Sequence, residues 1–461
     1  MMSSEMSSSS LTDKRISAIA STASRSTPPA HFPDSFVWGV ATSSYQIEGD
    51  RAGRGESIWD RFCTIPGAIL DGSNGDVACG HVERAAADVQ LMGELGVGAY
   101  RFSISWPRVI PNGHGEVAPA GLDFYSRLVD ELLAAGIDPY VTLYHWDLPQ
   151  VLEDEGGWPE RATAYHFAEY ADVVASALGD RVKHWATLNE PYCSSHFGYV
   201  TGFMAPGRKS VADGFAAAHH LLLGHGLAVE RLRARVPDAE VGVVLNFNPM
   251  HPASDDPADV AAAAAKDALH NRWYAEPIAG LGYPIDATGA DRWSAAELRD
   301  GDLDVIAAPI DVLGVNYYSR SLVNAADERV ASPGPVTGMG WEIYPEGLAE
   351  TVRWLHERCR FPRYLITENG AAMNDQPDAA GFVDDQDRLG YVRDHLAVIH
   401  ELIDEGLPID GYFAWSLMDN FEWAYGYTER FGLIRVDYDT LERTPKASAR
   451  WYADVTRAHG F

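Results

Sequence analysis

Eight short runs of apolar, β-branched and aromatic residues alternate with helical segments, and this alternation constrains the fold more than any other feature. The runs span residues 36–45, 99–106, 138–146, 182–189, 241–248, 310–318, 363–368 and 409–416. Amphipathic segments lie between them at 122–135, 163–178, 214–235, 346–357 and 388–405. Eight strands with room for a helix after nearly every one predict a single (β/α)8 TIM barrel of class α/β. Because the runs start about 40 to 70 residues apart, several βα loops must be long.

The main alternative is a doubly wound parallel sheet with a second domain. That fold places a Gly-rich GxGxxG turn after its first strand. Here the first run leads into SSYQIEG at 43–49, which lacks those glycines. The barrel is therefore favoured.

The amino end differs in composition from the rest of the chain. Residues 1–30 are rich in Ser, Thr and Ala and end near Pro28-Pro29, which predicts a disordered tail before a barrel domain over 31–461. No apolar core follows Lys14 and Arg15, which argues against a secretory signal. An organelle-targeting peptide stays open, although Glu5 and Asp13 argue against it.

Net charge and cysteine content limit the classes of binding partner and the cellular compartment that the sequence favours. A net charge of −30 disfavours nucleic acid and anionic membrane surfaces, and no apolar run is long enough to span a bilayer. Four cysteines without a CxxC pair predict reduced thiols in a soluble, cytoplasmic protein. Oligomeric state is left open.

Polar and aromatic residues accumulate where the predicted strands end. In a barrel these ends converge on the face that carries catalysis. The residues are Gln46, Arg101, His145, Trp146, Asp147, Asn189, Glu190, Asn316, Tyr318, Glu368, Asn369, Trp415, Glu422 and Trp423.

Two carboxylates in this set, Glu190 and Glu368, directly follow apolar runs. A buried carboxylate is costly unless it is paired or functional. The fourth and seventh strands are expected to lie across the barrel from one another, so that the two groups face each other over a central cavity. Two carboxyls in different environments are what cleavage of a glycosidic bond requires.

The sequence at these positions closely resembles the β-glucosidases of glycoside hydrolase family 1. The two family signatures read TLNEP at 187–191 and ITENG at 366–370. Further collinear matches are FVWGVATSSYQIEG, YRFSISWPRVIP, HWDLPQ, GVNYYS and WSLMDNFEWAYGYTERFGL, so the resemblance runs from about residue 32 to 461. Departures are few: Leu188 replaces a commoner Phe, and Val82 and Glu83 replace aromatic or His residues.

The resemblance implies a retaining β-glycosidase acting on a β-glycoside or cello-oligosaccharide without a cofactor. Glu190 would be the acid/base, Glu368 the nucleophile, and Arg101 and Tyr318 its supports. Asn189 would bind the sugar 2-hydroxyl and Trp341 would line the entrance. The other implied substrate-binding residues are Gln46, His145, Trp146, Asn316, Tyr318, Trp415, Glu422 and Trp423.

The implied roles carry electrostatic expectations. Arg101 and Tyr318 should lower the pKa of Glu368, while proximity to that charge should raise the pKa of Glu190. A retaining mechanism predicts carboxyl groups separated by roughly 5–5.5 Å.

Three other functions fit the sequence less well. A 6-phospho-β-glycosidase needs cations or backbone amides for the phosphate, typically a Ser with Lys and Tyr after strand eight, whereas DNFEWAYGYTERFG contains Glu422, which would repel phosphate, and no Lys. A non-catalytic carbohydrate-binding protein would be expected to lack Glu190, Glu368 or Arg101. Metal-dependent hydrolysis is disfavoured because HELID at 400–404 lacks the second His of HExxH, and His219, His220 and His225 lie in an Ala- and Leu-rich helix.

Overall fold

The structure is a computed structural model that describes residues 30–285, 298–328 and 330–461. Within these ranges the strands, numbered in chain order, are β1 Val37–Ala41, β2 Ala99–Ser103, β3 Asp138–Tyr144, β4 His184–Asn189, β5 Glu240–Phe247, β6 Met250–Pro252, β7 Val312–Tyr317, β8 Ser321–Val323, β9 Tyr364–Asn369, β10 Ile409–Trp415, β11 Ile434–Val436 and β12 Arg443–Pro445. The predicted tail over 1–30 lies outside the described residues except for Ala30, so it stays a prediction, as does the domain boundary.

Eight strands form a closed parallel barrel in the order β1–β10–β9–β7–β5–β4–β3–β2. The predicted α/β barrel is confirmed, and each predicted strand run contains or overlaps one barrel strand. β4 and β9 are three positions apart around this ring. The short strands pair outside it, β6 with β8 and β11 with β12.

Helices connect the barrel strands and cover the outside of the barrel. In the described ranges they are Ser44–Ile47, Ile58–Cys63, His81–Leu95, Trp106–Val109, Pro119–Ala134, Gln150–Asp154, Arg161–Leu178, Val211–Arg235, Pro257–Asp267, Trp273–Ile278, Asp302–Ile306, Glu346–Arg358, Gln386–Asp404 and Ala447–Ala458. Two π-helical segments are Cys193–Val200 and Ala268–Arg272, and 3-10 turns are Arg51–Gly53 and Trp423–Tyr425.

The barrel interior is filled by side chains from several strands. Ala41, Ala99, Leu365 and Phe413 belong to one buried apolar cluster that continues to Trp415. Gly39 is needed at this level, because an added Cβ would lie 2.3 Å from the Phe413 ring. The packed interior closes the barrel below the polar residues at the strand ends.

The two ends of the described chain meet. Ala30 and Phe461 exchange backbone hydrogen bonds of 3.0 Å in each direction, and the Phe32 N–H donates to the His459 carbonyl at 2.7 Å. The fully buried Phe32 ring packs against Trp38, with a centroid distance of 4.9 Å. This pairing fixes the chain immediately before β1.

No helix in the described part of the chain is long and apolar enough to cross a membrane.

Candidate active site

Glu190 and Glu368 lie at the carboxyl ends of β4 and β9. Glu368 is within its strand, whereas Glu190 follows Asn189 and has a φ of 48°, in the left-handed region. The Glu190 N–H donates to the Val244 carbonyl at 2.9 Å, which fixes this turn against β5. Both side chains are buried.

Glu368 is paired with a cation and a phenol. Arg101 donates to Oε1 at 2.6 Å, and the Tyr318 hydroxyl donates to Oε2 at 2.7 Å. Arg101 is also held by Thr142, whose hydroxyl accepts from its Nε at 3.2 Å. Because Arg101 is buried and oriented by these contacts, its charge acts on Glu368 with little solvent screening.

Glu190 has neutral partners instead. The Asn316 amide donates to Oε1 at 2.6 Å, and the Cys193 thiol donates to Oε2 at 3.1 Å. Thr367 does not contact Glu190, but it orients the Asn316 amide, since its hydroxyl donates to Asn316 Oδ1 at 2.7 Å. The two carboxyls therefore have unlike environments.

Asn189 connects the two sides of the site. Its Oδ1 accepts from Arg101 at 2.6 Å and from Asn316 at 3.1 Å. Its Nδ2 lies 3.1 Å from His145 Nε2, and its carbonyl accepts from Trp146 Nε1 at 3.0 Å. One amide side chain thus holds groups from β2, β7 and the loop after β3 in a common arrangement.

Burial and mutual repulsion raise the pKa of Glu190 to about 8. Burial also raises the pKa of Glu368, although Arg101, Tyr318 and Asn316 act in the opposite direction. Arg101 and Tyr318 lower the pKa of Glu368 as predicted, but the loss of hydration outweighs them, so the net shift is upward. The direct contact with Arg101 still makes Glu368 the group of the pair that more readily carries the negative charge.

A polar wall lies on the side of β1 and the loop after β10. Gln46 donates to Asn420 Oδ1 at 2.9 Å and to the Phe421 carbonyl at 2.8 Å, and Ser43 donates to its Oε1 at 2.6 Å. In the same loop Glu422 is partly buried, and its enclosed Oε2 lacks a hydrogen-bond partner in the described structure. Burial, with repulsion from Glu368, raises the pKa of Glu422 to about 8. These groups offer donors and acceptors to a polyhydroxylated ligand.

Aromatic rings line the same space. The His145 ring lies nearly parallel to those of Trp415 and Trp423, with centroid distances of 5.8 and 5.9 Å. Trp146 packs against Trp423 at 4.7 Å. Burial and the Arg101 charge lower the pKa of His145 well below its usual value, so the imidazole is neutral. A neutral imidazole and flat indole faces suit the apolar faces and hydroxyls of a sugar ring.

Trp341 lies farther out, in the long loop after β8. Its ring is partly buried, 5.6 Å from the Tyr318 ring, and its carbonyl accepts from the Thr337 N–H at 2.9 Å. This connects Trp341 to the Glu368 side of the site through Tyr318.

Sequence reasoning missed several residues that complete the site. They are Ser43, Thr142, Cys193, Thr367 and Asn420. Cys193 carried a usable signal, because it comes three residues after Glu190 in a tight turn. Asn420 carried none, since its contact with Gln46 spans 374 residues.

The three histidines of the helix Val211–Arg235 have partners of their own, and the ring of His220 lies 3.1 Å from the Trp158 carbonyl. His219 contacts Tyr283 and Asp302 at 3.0 Å each, and His225 contacts the Thr187 hydroxyl at 2.6 Å. No group of three or more potential metal ligands occurs among the described residues. Leu188 is fully buried in β4, as expected for a residue that packs, and Glu83 is exposed on the helix His81–Leu95.

Comparisons with known proteins agree on one family. The model of Glycosyl hydrolase family 1 matches residues 29–461. The chain is 44% identical to β-glucosidase A of Acetivibrio thermocellus, covering 93% of this chain and 99% of the relative. It is 46% identical to the bifunctional β-D-glucosidase/β-D-fucosidase of Bifidobacterium breve, covering 93% and 98%. The β-glucosidase of Thermotoga maritima in complex with glucoimidazole superposes with a TM-score of 0.90 at 43% identity, covering 94% and 100%.

Proposed function

The chain belongs to glycosyl hydrolase family 1, and we propose that it is a retaining β-glucosidase that removes terminal nonreducing β-D-glucosyl residues. The observation that carries the proposal is the unlike pairing of two buried carboxyls. Glu368 contacts a guanidinium, whereas Glu190 contacts an amide and a thiol. That asymmetry suits a nucleophile and an acid/base in a double displacement.

In the first step Glu368 attacks the anomeric carbon as the glycosidic C–O bond breaks. Arg101 and Tyr318 favour the ionised form of Glu368 and orient it. Glu190 gives its proton to the leaving oxygen, so the aglycone departs as a neutral alcohol. The products are this alcohol and a glucosyl ester on Glu368.

In the second step Glu190 acts as a base. Formation of the ester removes the negative charge of Glu368, which is one cause of the raised pKa of Glu190. The pKa of Glu190 therefore falls, and its carboxylate takes a proton from water as the oxygen adds to the anomeric carbon. Glu368 leaves as a carboxylate and the sugar is released with retained configuration.

The roles proposed for the surrounding residues are those that the resemblance to the family implies, and the positions of these residues near the two carboxyls support them. Asn189 binds the 2-hydroxyl, and Trp415 supports the ring. Gln46, His145, Glu422 and Trp423 hold the other hydroxyls, with Trp146 packed against Trp423. Asn316 supports the acid/base, and Trp341 lines the side on which the aglycone leaves.

Azide rescue tests the nucleophile. Glu368→Ala should abolish hydrolysis, and azide should restore turnover of an activated aryl β-glucoside and give an α-glucosyl azide. The matched control is Glu276→Ala, because Glu276 is also buried and paired with arginines at 2.8 and 3.0 Å. That control should lose stability without azide-dependent turnover; rescue giving a β-azide would contradict the assignment.

A substrate panel tests the sugar. Initial rates on p-nitrophenyl β-glucoside, β-galactoside, β-fucoside and 6-phospho-β-glucoside should show turnover of the unphosphorylated sugars. Fucoside activity is expected because the Bifidobacterium relative is named for both activities, and transglycosylation is expected at high sugar concentration. Activity on the phosphorylated substrate alone would contradict the assignment of Glu422.

We also propose a cytoplasmic location, supported by four free thiols at Cys63, Cys79, Cys193 and Cys359. The small-molecule partner proposed is a β-glucoside or cello-oligosaccharide. A negative charge of this size does not favour nucleic acid.

A further inference from the structure

The residue that contacts Glu190 from its own loop is Cys193. The Cys193 N–H donates to the Glu190 carbonyl at 2.9 Å, so the turn between them is tight. This turn brings the thiol to 3.1 Å from Oε2, on the carboxyl oxygen that Asn316 does not contact. The π-helical segment Cys193–Val200 begins at this residue, which fixes where the thiol lies.

The thiol is held from its other side as well. The Asn246 side chain, on β5, lies with its Nδ2 3.7 Å from Cys193 Sγ and 3.1 Å from His270 Nε2. Because an amide N–H can only donate, the sulfur accepts from Asn246 and its own S–H is free to donate to Glu190. Asn246 thus donates to Cys193 and Cys193 donates to Glu190, so two hydrogen bonds in one direction end on the carboxyl.

We propose that Cys193 is a positioning residue for Glu190, whose S–H holds the acid/base carboxyl in one rotamer and stabilises its ionised form. The proposal rests on the proposed function, since it concerns the acid/base of that reaction. A carboxyl has about four acceptor positions, and the contacts from Cys193 and Asn316 occupy two. Sites therefore remain for the transferable proton.

The thiol suits this role because it keeps its proton. Burial, together with the adjacent Glu190, raises the pKa of Cys193 well above its usual value, so the sulfur stays a donor rather than becoming a second anion. A donor to the carboxylate form lowers the pKa of that carboxyl. Without it, Glu190 would hold its proton to higher pH and would be less fixed toward the leaving group.

The test compares Cys193→Ala and Cys193→Ser with the full-length wild type. For an alkyl β-glucoside, whose cleavage needs a proton, the alkaline limb of kcat/KM beyond that seen with a dinitrophenyl β-glucoside reports the acid Glu190 in the free enzyme. In Cys193→Ala this limb should move upward by about 0.5 pH unit, whereas in Cys193→Ser it should stay in place or move downward, since the hydroxyl still donates. The other charged or titratable groups around Glu190, namely Arg101, Tyr318, Glu368 and Glu422, are the same in all three proteins.

Leaving-group dependence separates positioning from a general loss of structure. At neutral pH, kcat/KM of Cys193→Ala for an alkyl β-glucoside should fall about tenfold, and for dinitrophenyl β-glucoside less than about twofold, because the second needs no proton. Cys193 borders a cavity of about 10 Å³, which alanine would enlarge, so Tm is measured for each variant. Cys359→Ala is the control, a buried cysteine after the helix Glu346–Arg358.

Each outcome decides the matter. An unmoved alkaline limb in folded Cys193→Ala, or equal losses for both leaving groups, would overturn the inference and leave the proposed function intact. If the alanine variant does not fold, an upward shift in Cys193→Ser would overturn it. A wild type that inverts configuration would overturn the proposed function and the inference together.

Discussion

The proton on Glu190 is expected to set the alkaline limit of activity. Because the pKa of Glu190 is raised to about 8, kcat/KM for substrates with poor leaving groups should fall as pH rises through about 8. Glu422 has a raised pKa of about 8 too, so the limb needs assignment. Comparing alkyl and dinitrophenyl β-glucosides assigns it: if Glu190 is responsible, the alkyl substrate alone loses activity there.

Replacing Glu190 gives a second prediction at this scale. Glu190→Ala should spare the first step for a dinitrophenyl leaving group and slow it by about 10² or more for an alkyl one. Pre-steady-state release of dinitrophenol measures that step directly. Equal losses for both leaving groups would contradict the acid role.

Replacing Arg101 gives a third prediction at the residue scale. Arg101→Leu leaves Glu368 buried without its cation, so the pKa of Glu368 should rise and the acidic limb of kcat/KM should move to higher pH. Arg101→Lys keeps a charge but not the forked contact with both Glu368 and Asn189, and its limb should move less. Full pH profiles of both variants measure the difference, and an acidic limb unchanged in Arg101→Leu would contradict the pairing.

Single residues were predictable where local sequence reflects burial. Glu190 and Glu368 each follow an apolar run, and their placement at strand ends needed only the barrel. The sign of the pKa shift on Glu368 was not predictable, because it depends on how completely neighbouring segments exclude water. Contacts such as that of Gln46 with Asn420 depend on two segments that are distant in sequence meeting in the fold.

Among the elements, the loop after β10 depends on a buried charge network. Asp419 accepts from Lys446 at 2.7 Å, from Arg430 at 2.6 Å and from the Gly432 N–H at 3.0 Å. Lys446 also contacts Asp375. The next four residues after Asp419 include Asn420, Glu422 and Trp423. The charge network therefore fixes the polar wall of the site.

Lys446→Met should therefore affect both stability and binding. It leaves two buried carboxylates short of a cation, which should lower the free energy of unfolding by about 3–5 kcal/mol and raise KM as the loop shifts. Denaturant unfolding and KM measure these effects. Lys266→Met is the control, because Lys266 pairs with Asp327 at the surface, and it should change little; similar losses in both variants would contradict the role of the network.

The pKa of Asp419 predicts how this stabilisation responds to acid. Lys446 and Arg430 hold the pKa of Asp419 below its usual value despite its burial. A lowered folded-state pKa stabilises the fold above the unfolded-state pKa, and this stability is lost as pH falls through the folded value.

Element bounds were less predictable than element order. The run at 36–45 suggested one long strand, yet β1 ends at Ala41 and a short helix starts at Ser44. The Ser44 N–H donates to Ser103 Oγ at 2.8 Å instead of continuing the ladder. An apolar run continues through such a turn, because both parts are buried.

At the scale of the whole molecule, the chain just before β1 is held by its contacts with Phe461 and His459. The family match begins at residue 29, so a chain lacking residues 1–28 should keep the Tm and kcat/KM of the full chain. Phe32→Ala should lower the free energy of unfolding by about 3–5 kcal/mol, because the fully buried ring packs beside β1. Thermal unfolding of the shortened chain and of Phe32→Ala tests the two predictions. A lower Tm in the shortened chain would contradict the first of them.

Because Ala30 and Phe461 lie side by side, the sequence in which the elements follow one another along the chain can be changed without changing how they pack. In the ring of strands β1 touches β10 as closely as it touches β2, so the barrel has no first strand. A gene that fuses residue 461 to residue 30 through a short linker and opens the chain in an exposed loop, such as that after Ala134, should encode a circular permutant of the same barrel. Its new ends would then serve as attachment points chosen by the experimenter.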